Sequence, residues 1–491
     1  MGRKSQSVMS LMLFFRTSVR TCVMLCVCFS LLNLTACSNQ SSDFPSIPTI
    51  STESSVSESI QPSLSASEEE TFPVIQMASP FSQDTLNYLS RLYSAKSQGL
   101  LGAGVNGDNV SLSFLDSVDP PFVVEAISTP ATGATKDTIL DWNNSNAMPD
   151  VFYSASLYAS FENEISLSLN PYLSNDSLLN PSNIYIGMFN VLSTDGDFFG
   201  IPLMSSVEII YINQEIFRTS DTELPSFVMD SNSFQKASEN ISDYFDNSEL
   251  PPSYPFYRVE DLLPFLGASY ADSYHYMSFD KTTKTFVPGF EDSVRFLKRY
   301  AELGYSIDLL SEEDKLELFG TFDPIISKRI AMWAGDSSDV MRWANYMPYT
   351  LQMVQIPSDE VGVITPPCLT VYPLCVSATT NYPELASKFA AFIALDEDAI
   401  LLRLRLEGSE GFLPTVKSNR VWTRYFENAT YSSPLLYYKE YMNHAYFSPK
   451  VSDQKLYGQF LYLLRTYSQD LLSEELSNDI LKEMADVLLS A

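Results

Sequence analysis

The sequence is short of positive charge, of histidine and of glycine. Its 491 residues carry 30 Lys and Arg against 60 Asp and Glu, a formal net charge of −30. That balance disfavours a nucleic-acid partner, because a polyanion would meet net repulsion instead of a basic face. Only two histidines occur, His275 and His444, far apart and in no recognisable motif, so imidazole catalysis has little to draw on. Zincin, nucleophile-elbow and Walker A motifs are absent. Gly102-Ala103-Gly104-Val105-Asn106-Gly107 is glycine-rich but follows no clear strand, and reads as a flexible turn. Acid runs such as Glu68-Glu69-Glu70 and Asp396-Glu397-Asp398 read as solvated faces, and no carboxylate pair stands out for glycoside hydrolysis. The six cysteines have no metal-ligand spacing.

Hydrophobic residues make up 45% of the chain, enough for sizeable cores, so wholesale disorder is excluded. The length suits two or three domain-sized units, or one large two-lobed protein.

The charge is unevenly placed. Residues 1–36 hold Arg3, Lys4, Arg16 and Arg20 and no acid, so their loss would take the balance from −30 to −34. Cys22 to Leu32 is an apolar run too short to span a bilayer comfortably. A basic stretch, an apolar stretch and then small residues form a secretory signal peptide. Leu34-Thr35-Ala36-Cys37 resembles the bacterial lipobox, in which the cysteine thiol takes diacylglycerol and becomes the first residue of the mature chain. Residues 37–72 are rich in Ser, Pro and Glu and lack apolar periodicity, as expected of a disordered, lipid-anchored tether. The expected location is the extracytoplasmic face of the cell membrane, held by acyl chains. Cys368 and Cys375 remain in the mature chain. They read as small buried residues of a strand-rich stretch, with a disulfide as the alternative in an oxidising compartment.

Along the rest of the chain, strand and helix patterns alternate. Val74–Ala78 reads as a strand, followed by a helix with Leu86, Leu89 and Tyr93 on one face. Val110–Leu115 reads as a second strand, 135–142 as a helix, and Pro149–Tyr153 as a buried strand. Phe199–Tyr211 is apolar and extended, and 232–245 is helical. Phe290, Val294, Leu297 and Ala301 share a helix face that Gly304 ends. Ile330–Trp333 and Val371–Val376 read as strands. Helices are expected after Pro383 and around Ile480–Leu488, where Leu476 also fits the apolar face. No internal repeat is present. This alternation predicts α/β layers with parallel pairing.

Several stretches, in order, resemble the family 1 extracellular solute-binding proteins of ABC transporters, the group of the maltose- and other sugar-binding proteins. They are Trp142 with Pro149-Asp150-Val151-Phe152; Leu169-Asn170-Pro171-Tyr172-Leu173; Phe199-Gly200-Ile201-Pro202-Leu203 with Tyr211 to Phe217; Arg329 to Trp333; Asn381 to Phe392; and Phe412-Leu413-Pro414-Thr415. Ile212 stands where the family usually has Tyr, and the usual Gly before the Ile-Ala-Met stretch is absent. The resemblance implies a two-lobed α/β fold of the periplasmic-binding-protein type II, with a multi-strand hinge and an interlobe ligand cleft. It implies a first lobe over 73–206 with a return over 364–415. The second lobe would take 207–363 and a C-terminal helical part, 416–491. The chain would cross near Met204–Ile209 and return near Ile364–Tyr372.

By the same resemblance, the solute contacts are sought in loops after strand ends. These are Ser79, Phe81, Tyr153, Ser154, Ser205, Ser206, Trp333, Gly335, Asp336 and Tyr372. Aromatic faces suit the CH face of a pyranose, and the polar groups suit its hydroxyls. Asp150 and Trp142 read as structural. The expectation is a monomeric, non-enzymatic receptor with no metal and no cofactor. It would capture a mono- or oligosaccharide by hinge closure and hand it to an ABC permease. The open alternatives are another solute, such as a polyamine or peptide, and a lipid-anchored glycan hydrolase.

Overall fold

The computed structural model describes residues 72–489, apart from 131, 158–163, 265–278, 281–284, 287, 308–309 and 474–477. The signal segment, Cys37, all but the last residue of the tether, His275 and Leu476 lie outside the described residues.

The chain opens with β1 (Val74–Ser79), whose alternate residues Ile75 and Met77 are buried. Ser82 then caps α1 (Gln83–Ser97) by accepting from the Thr85 amide, and Leu86, Leu89 and Leu92 point into the core. β2 (Val123–Ser128) returns parallel to β1. The second strand is therefore not at Val110–Leu115. That stretch instead holds a short helix, Leu112–Asp116, which buries Leu115. Val110, Leu112 and Phe114 alternate as in a strand, whereas Leu112 and Leu115 keep helical spacing, so the period there is ambiguous. Helix α2 (Lys136–Asn144) leads to β3 (Val151–Tyr153), again parallel to β1.

The organising element is β4, thirteen residues from Ile201 to Asn213. It is apolar almost throughout and buried along its whole length except at Glu208, which is half-buried. The next strands are β5 (Tyr254–Tyr257), β6 (Ile330–Asp336), β7 (Leu351–Val354), β8 (Cys368–Val376) and β9 (Tyr446–Phe447). Together they make a nine-stranded sheet with the path β2-β1-β3-β8-β4-β6-β5. β4 changes partner midway. Ile201 to Val207 run antiparallel to β8, whereas Glu208 to Ile212 run antiparallel to β6.

Two buried clusters flank this change. One gathers Ile75, Phe152, Leu203, Leu374 and Phe389; the other gathers Ile210, Ile212, Phe234, Phe256, Phe290 and Met332. Helices α3 (Ser231–Asp246) and α4 (Pro288–Glu302) supply the second cluster. α5 (Val340–Tyr346) follows β6. α6 (Pro383–Leu395), α7 (Glu397–Glu407) and α8 (Asn419–Glu427) pack on the first cluster. The chain ends in α9 (Gln454–Ser473) and α10 (Asn478–Leu489).

Cys368 and Cys375 are both buried, and neither is in a disulfide. They sit on one extended strand, about 23 Å apart at its rise per residue, beyond disulfide reach. Asp396 is not part of a solvated face. It is buried, caps α7 by accepting from the Asp398 and Ala399 amides, and pairs with Lys96 at 2.8 Å. The glycine-rich turn is anchored beside it. The Gly107 amide donates to the Asp398 carboxylate at 3.2 Å, and a Cβ on Gly107 would lie 1.7 Å from the Asp398 carbonyl oxygen.

Candidate functional site

A cavity of about 530 Å³ opens where elements from both halves of the sheet meet. Phe81 enters it directly after β1, Met204 from β4, Ser338 and Met341 after β6, Phe412 from the loop after α7, and Tyr425 from α8. Its size lies in the ~300–1,000 Å³ range of small-molecule sites, and its walls combine aromatic faces with a few polar groups.

Local hydrogen bonds hold each wall. The Ser79 hydroxyl accepts from the Phe81 amide at 3.3 Å and shapes the turn that presents the ring. Glu407 accepts from the Ser82 amide at 3.0 Å, from the Ser82 hydroxyl at 2.7 Å and from Thr85 at 2.6 Å, tying α1 to the end of α7. Burial favours its protonated form, but the bonds from Thr85 and Ser82 outweigh burial and hold its carboxyl below the ordinary value. Glu410 is likewise engaged, accepting from the amides of Thr430, Tyr431 and Ser432 at 3.1, 2.8 and 2.7 Å. Gly411 sits at φ 85°, and a Cβ there would fall 2.3 Å from the Ser337 carbonyl oxygen. Only glycine allows this approach. Ser337 in turn donates to the Gly411 carbonyl at 2.6 Å and accepts from the Val207 amide at 3.0 Å.

Behind the cavity lies a polar knot at the point where β4 changes partner. Ser206 donates to Oδ2 of Asp336 at 2.8 Å and lies 3.4 Å from the Tyr372 hydroxyl. Tyr211 donates to the Asp336 carbonyl at 2.8 Å, and Lys450 places its ammonium 3.6 Å from Oδ2. Asp336 raises the Lys450 ammonium above its ordinary value despite burial. Glu208, the residue after the switch, is pushed up to about 8, first by burial and then by the charge of Asp336.

The expected site residues fall into three places. Phe81 lines the cavity. Ser206, Asp336 and Tyr372 are brought together in the knot, with the Tyr153 ring 6.2 Å from that of Tyr372. The remaining residues form supporting structure. Ser154 accepts from the Ser156 amide at 3.0 Å, and Ser205 is paired by its backbone with Leu413. Gly335 leaves room for the Tyr211 ring, which a Cβ would meet at 3.2 Å. Trp333 is 1% exposed, stacked on Tyr211 at 5.6 Å and set edge-on to Trp343 at 5.6 Å, away from the cavity lining. Asp150 is structural. It accepts from the Gln76 amide at 2.8 Å and from Thr380 at 2.5 Å. His444 is exposed.

Sequence reasoning passed over Arg403, Arg405, Tyr425 and Lys450. The signal for the first two was present as charges embedded in the apolar run Leu401-Leu402-Arg403-Leu404-Arg405-Leu406. Among the described residues, no cluster of His, Cys, Asp or Glu could hold a metal ion, and no helix is long and apolar enough to cross a membrane.

No protein-family model matches the chain, and no curated protein matches its sequence. Solved structures do match its fold. An ABC substrate-binding protein of Listeria monocytogenes, in complex with cycloalternan, is 13% identical with a TM-score of 0.57, over 86% of this chain and 99% of that one. A sugar transporter protein of Rhizobium etli, in an open conformation, is 15% identical with a TM-score of 0.58, over 85% and 99%. The fold is that of the two-lobed solute-binding proteins. The sugar-binding protein MalE of Xanthomonas citri shares it at 11% identity and a TM-score of 0.56, over 85% of this chain and 98% of that one.

Proposed function

We propose that the chain is the extracytoplasmic receptor of an ABC importer. It captures a mono- or oligosaccharide between its lobes by hinge closure and delivers it to the permease. The observation that carries the reading is the cavity itself. Phe81, Phe412 and Tyr425 offer aromatic faces to a pyranose, and Ser338 and Asn428 offer groups for its hydroxyls. The similar structures from Listeria monocytogenes, Rhizobium etli and Xanthomonas citri, described as substrate-binding, sugar-transporting and sugar-binding, support it. Glu407 and Glu410 are occupied by bonds from the chain, which favours capture over acid–base hydrolysis.

In this reading the lobes divide at 206/207, which the partner change of β4 supports. The return over 364–415 carries β8 and the cavity loop back to the first lobe. The proposed anchor is diacylglycerol on Cys37, followed by the 37–72 tether. Closure draws its free energy from contacts made only in the closed state. The test is titration of Phe412→Ala with whichever saccharide the parent binds. At least a tenfold loss of affinity is expected, and an unchanged affinity removes this cavity from the site.

A further inference from the structure

The charges around the cavity are unevenly satisfied. Both lining acids, Glu407 and Glu410, have three donors each from the chain. Arg424, also lining, is paired with Asp108 at 3.2 Å and with Glu427 at 2.9 Å. Arg405 has no carboxylate in ion-pair reach. One of its nitrogens donates to the carbonyls of Asp108 and Val110 at 2.8 and 3.0 Å, while its buried Nη2 has no acceptor. Burial, more than the Asp108 charge can offset, lowers its guanidinium below the ordinary value. Arg403 lies behind the Phe81 and Tyr425 wall and is 2% exposed. It donates to the Leu203 carbonyl and the Tyr425 hydroxyl at 3.2 Å each and lies 5.7 Å from the centre of the Phe81 ring, yet its Nε has no acceptor. The Tyr153 hydroxyl is also buried without a partner.

Arg405 therefore brings to the cavity wall a guanidinium whose charge no carboxylate among the described residues pairs with. A buried cation without its anion is costly, and a guanidinium is matched in geometry by a carboxylate. We infer that the captured solute is an acidic saccharide whose carboxylate, as in a uronic acid residue, pairs with Arg405 at the cavity wall, with Arg403 adding positive field from behind. This rests on the saccharide-receptor reading. A single negative charge fits better than a phosphate dianion, because Glu407 and Glu410 line the same cavity and repel in proportion to ligand charge. A polyamine is disfavoured because three donors of the chain already draw on the charge of each acid.

The test is calorimetric titration of the mature chain with digalacturonate and trigalacturonate, against neutral galactose disaccharides and trisaccharides and against glucose 6-phosphate. The uronates should bind at least tenfold more tightly than the neutral sugars and the phosphate. Their affinity alone should fall several-fold between low and high salt, a readout that needs no variant. Arg405→Gln should bring the ratio of uronate to neutral affinity close to one. Neutral sugars or the phosphate binding as tightly as the uronates would overturn the carboxylate inference and leave the receptor standing. Binding of none of these sugars would overturn both.

Discussion

The hydroxyl of Ser206 donates to the carboxylate of Asp336 across 2.8 Å, joining residues 130 positions apart in the chain. Ser206 belongs to the half of β4 that pairs with β8, and Asp336 ends the strand that pairs with the other half. The bond therefore spans the point where β4 passes from one strand partner to the other. Asp336 also anchors Lys450 and the Ser338 turn. Asp336→Asn should cost ~1.5–3 kcal/mol, because it weakens the charge-assisted bonds to Asp336 and leaves the partly exposed Lys450 ammonium without its anion. Ser206→Ala should cost only ~1 kcal/mol, the usual worth of one buried hydrogen bond. Urea denaturation checks the order of the two; an equal cost would mean that Lys450 does not depend on Asp336.

Glu208 makes a pH prediction. Its carboxyl titrates at about 8 in the folded chain, raised by burial and by Asp336, and near 4.5 otherwise. A raised carboxyl value stabilises the fold fully below about 4.5. That contribution is lost as pH rises through 8. Glu208→Gln should match the parent at pH 4.5 and exceed its stability by a few kcal/mol at pH 9. Thermal melts of both proteins across that range would show it, and parallel curves would count against the assignment.

Trp333→Ala should act on stability. The ring fills the space between Tyr211 and Trp343 and is 1% exposed. Its loss should cost ~3–5 kcal/mol, as for large aromatic truncations in cores. A loss below ~1 kcal/mol on denaturation would be inconsistent with that position.

The anchor is tested separately. Cys37→Ser should abolish incorporation of labelled lipid into the exported chain, since the thiol is the only nucleophile the lipobox provides. Labelling that persists in the variant would remove the lipoprotein assignment.

Much of the architecture was legible in the sequence because burial imposes period. The helix at Gln83–Ser97 follows from Leu86 and Leu89, and the long strand from the largely apolar stretch before Asn213. The misplacement at Val110–Leu115 arose where Val110, Leu112 and Phe114 fit a period of two while Leu112 and Leu115 fit a helix. The site was harder to read, because its parts are separated by hundreds of residues. Phe81 was singled out from its place after a strand, and it lines the cavity. Arg403 and Arg405 were passed over because their run has no clean face, and their environment appears only when α7 packs beside β4 and α8. Trp333 shows the converse: a strand-end aromatic invites a binding role, but the fold turns it into the core.

The measurement that tests the central claim most directly is a thermal-shift screen of the mature chain against mono- and oligosaccharides, neutral and acidic, with the sugars recovered and analysed afterwards. The account predicts a saturable rise in melting temperature with at least one saccharide, equivalent to ~2.7 kcal/mol at a hundred times its dissociation constant. The recovered sugar should be unchanged. No shift with any saccharide, or a shift accompanied by consumption of the sugar, would contradict it.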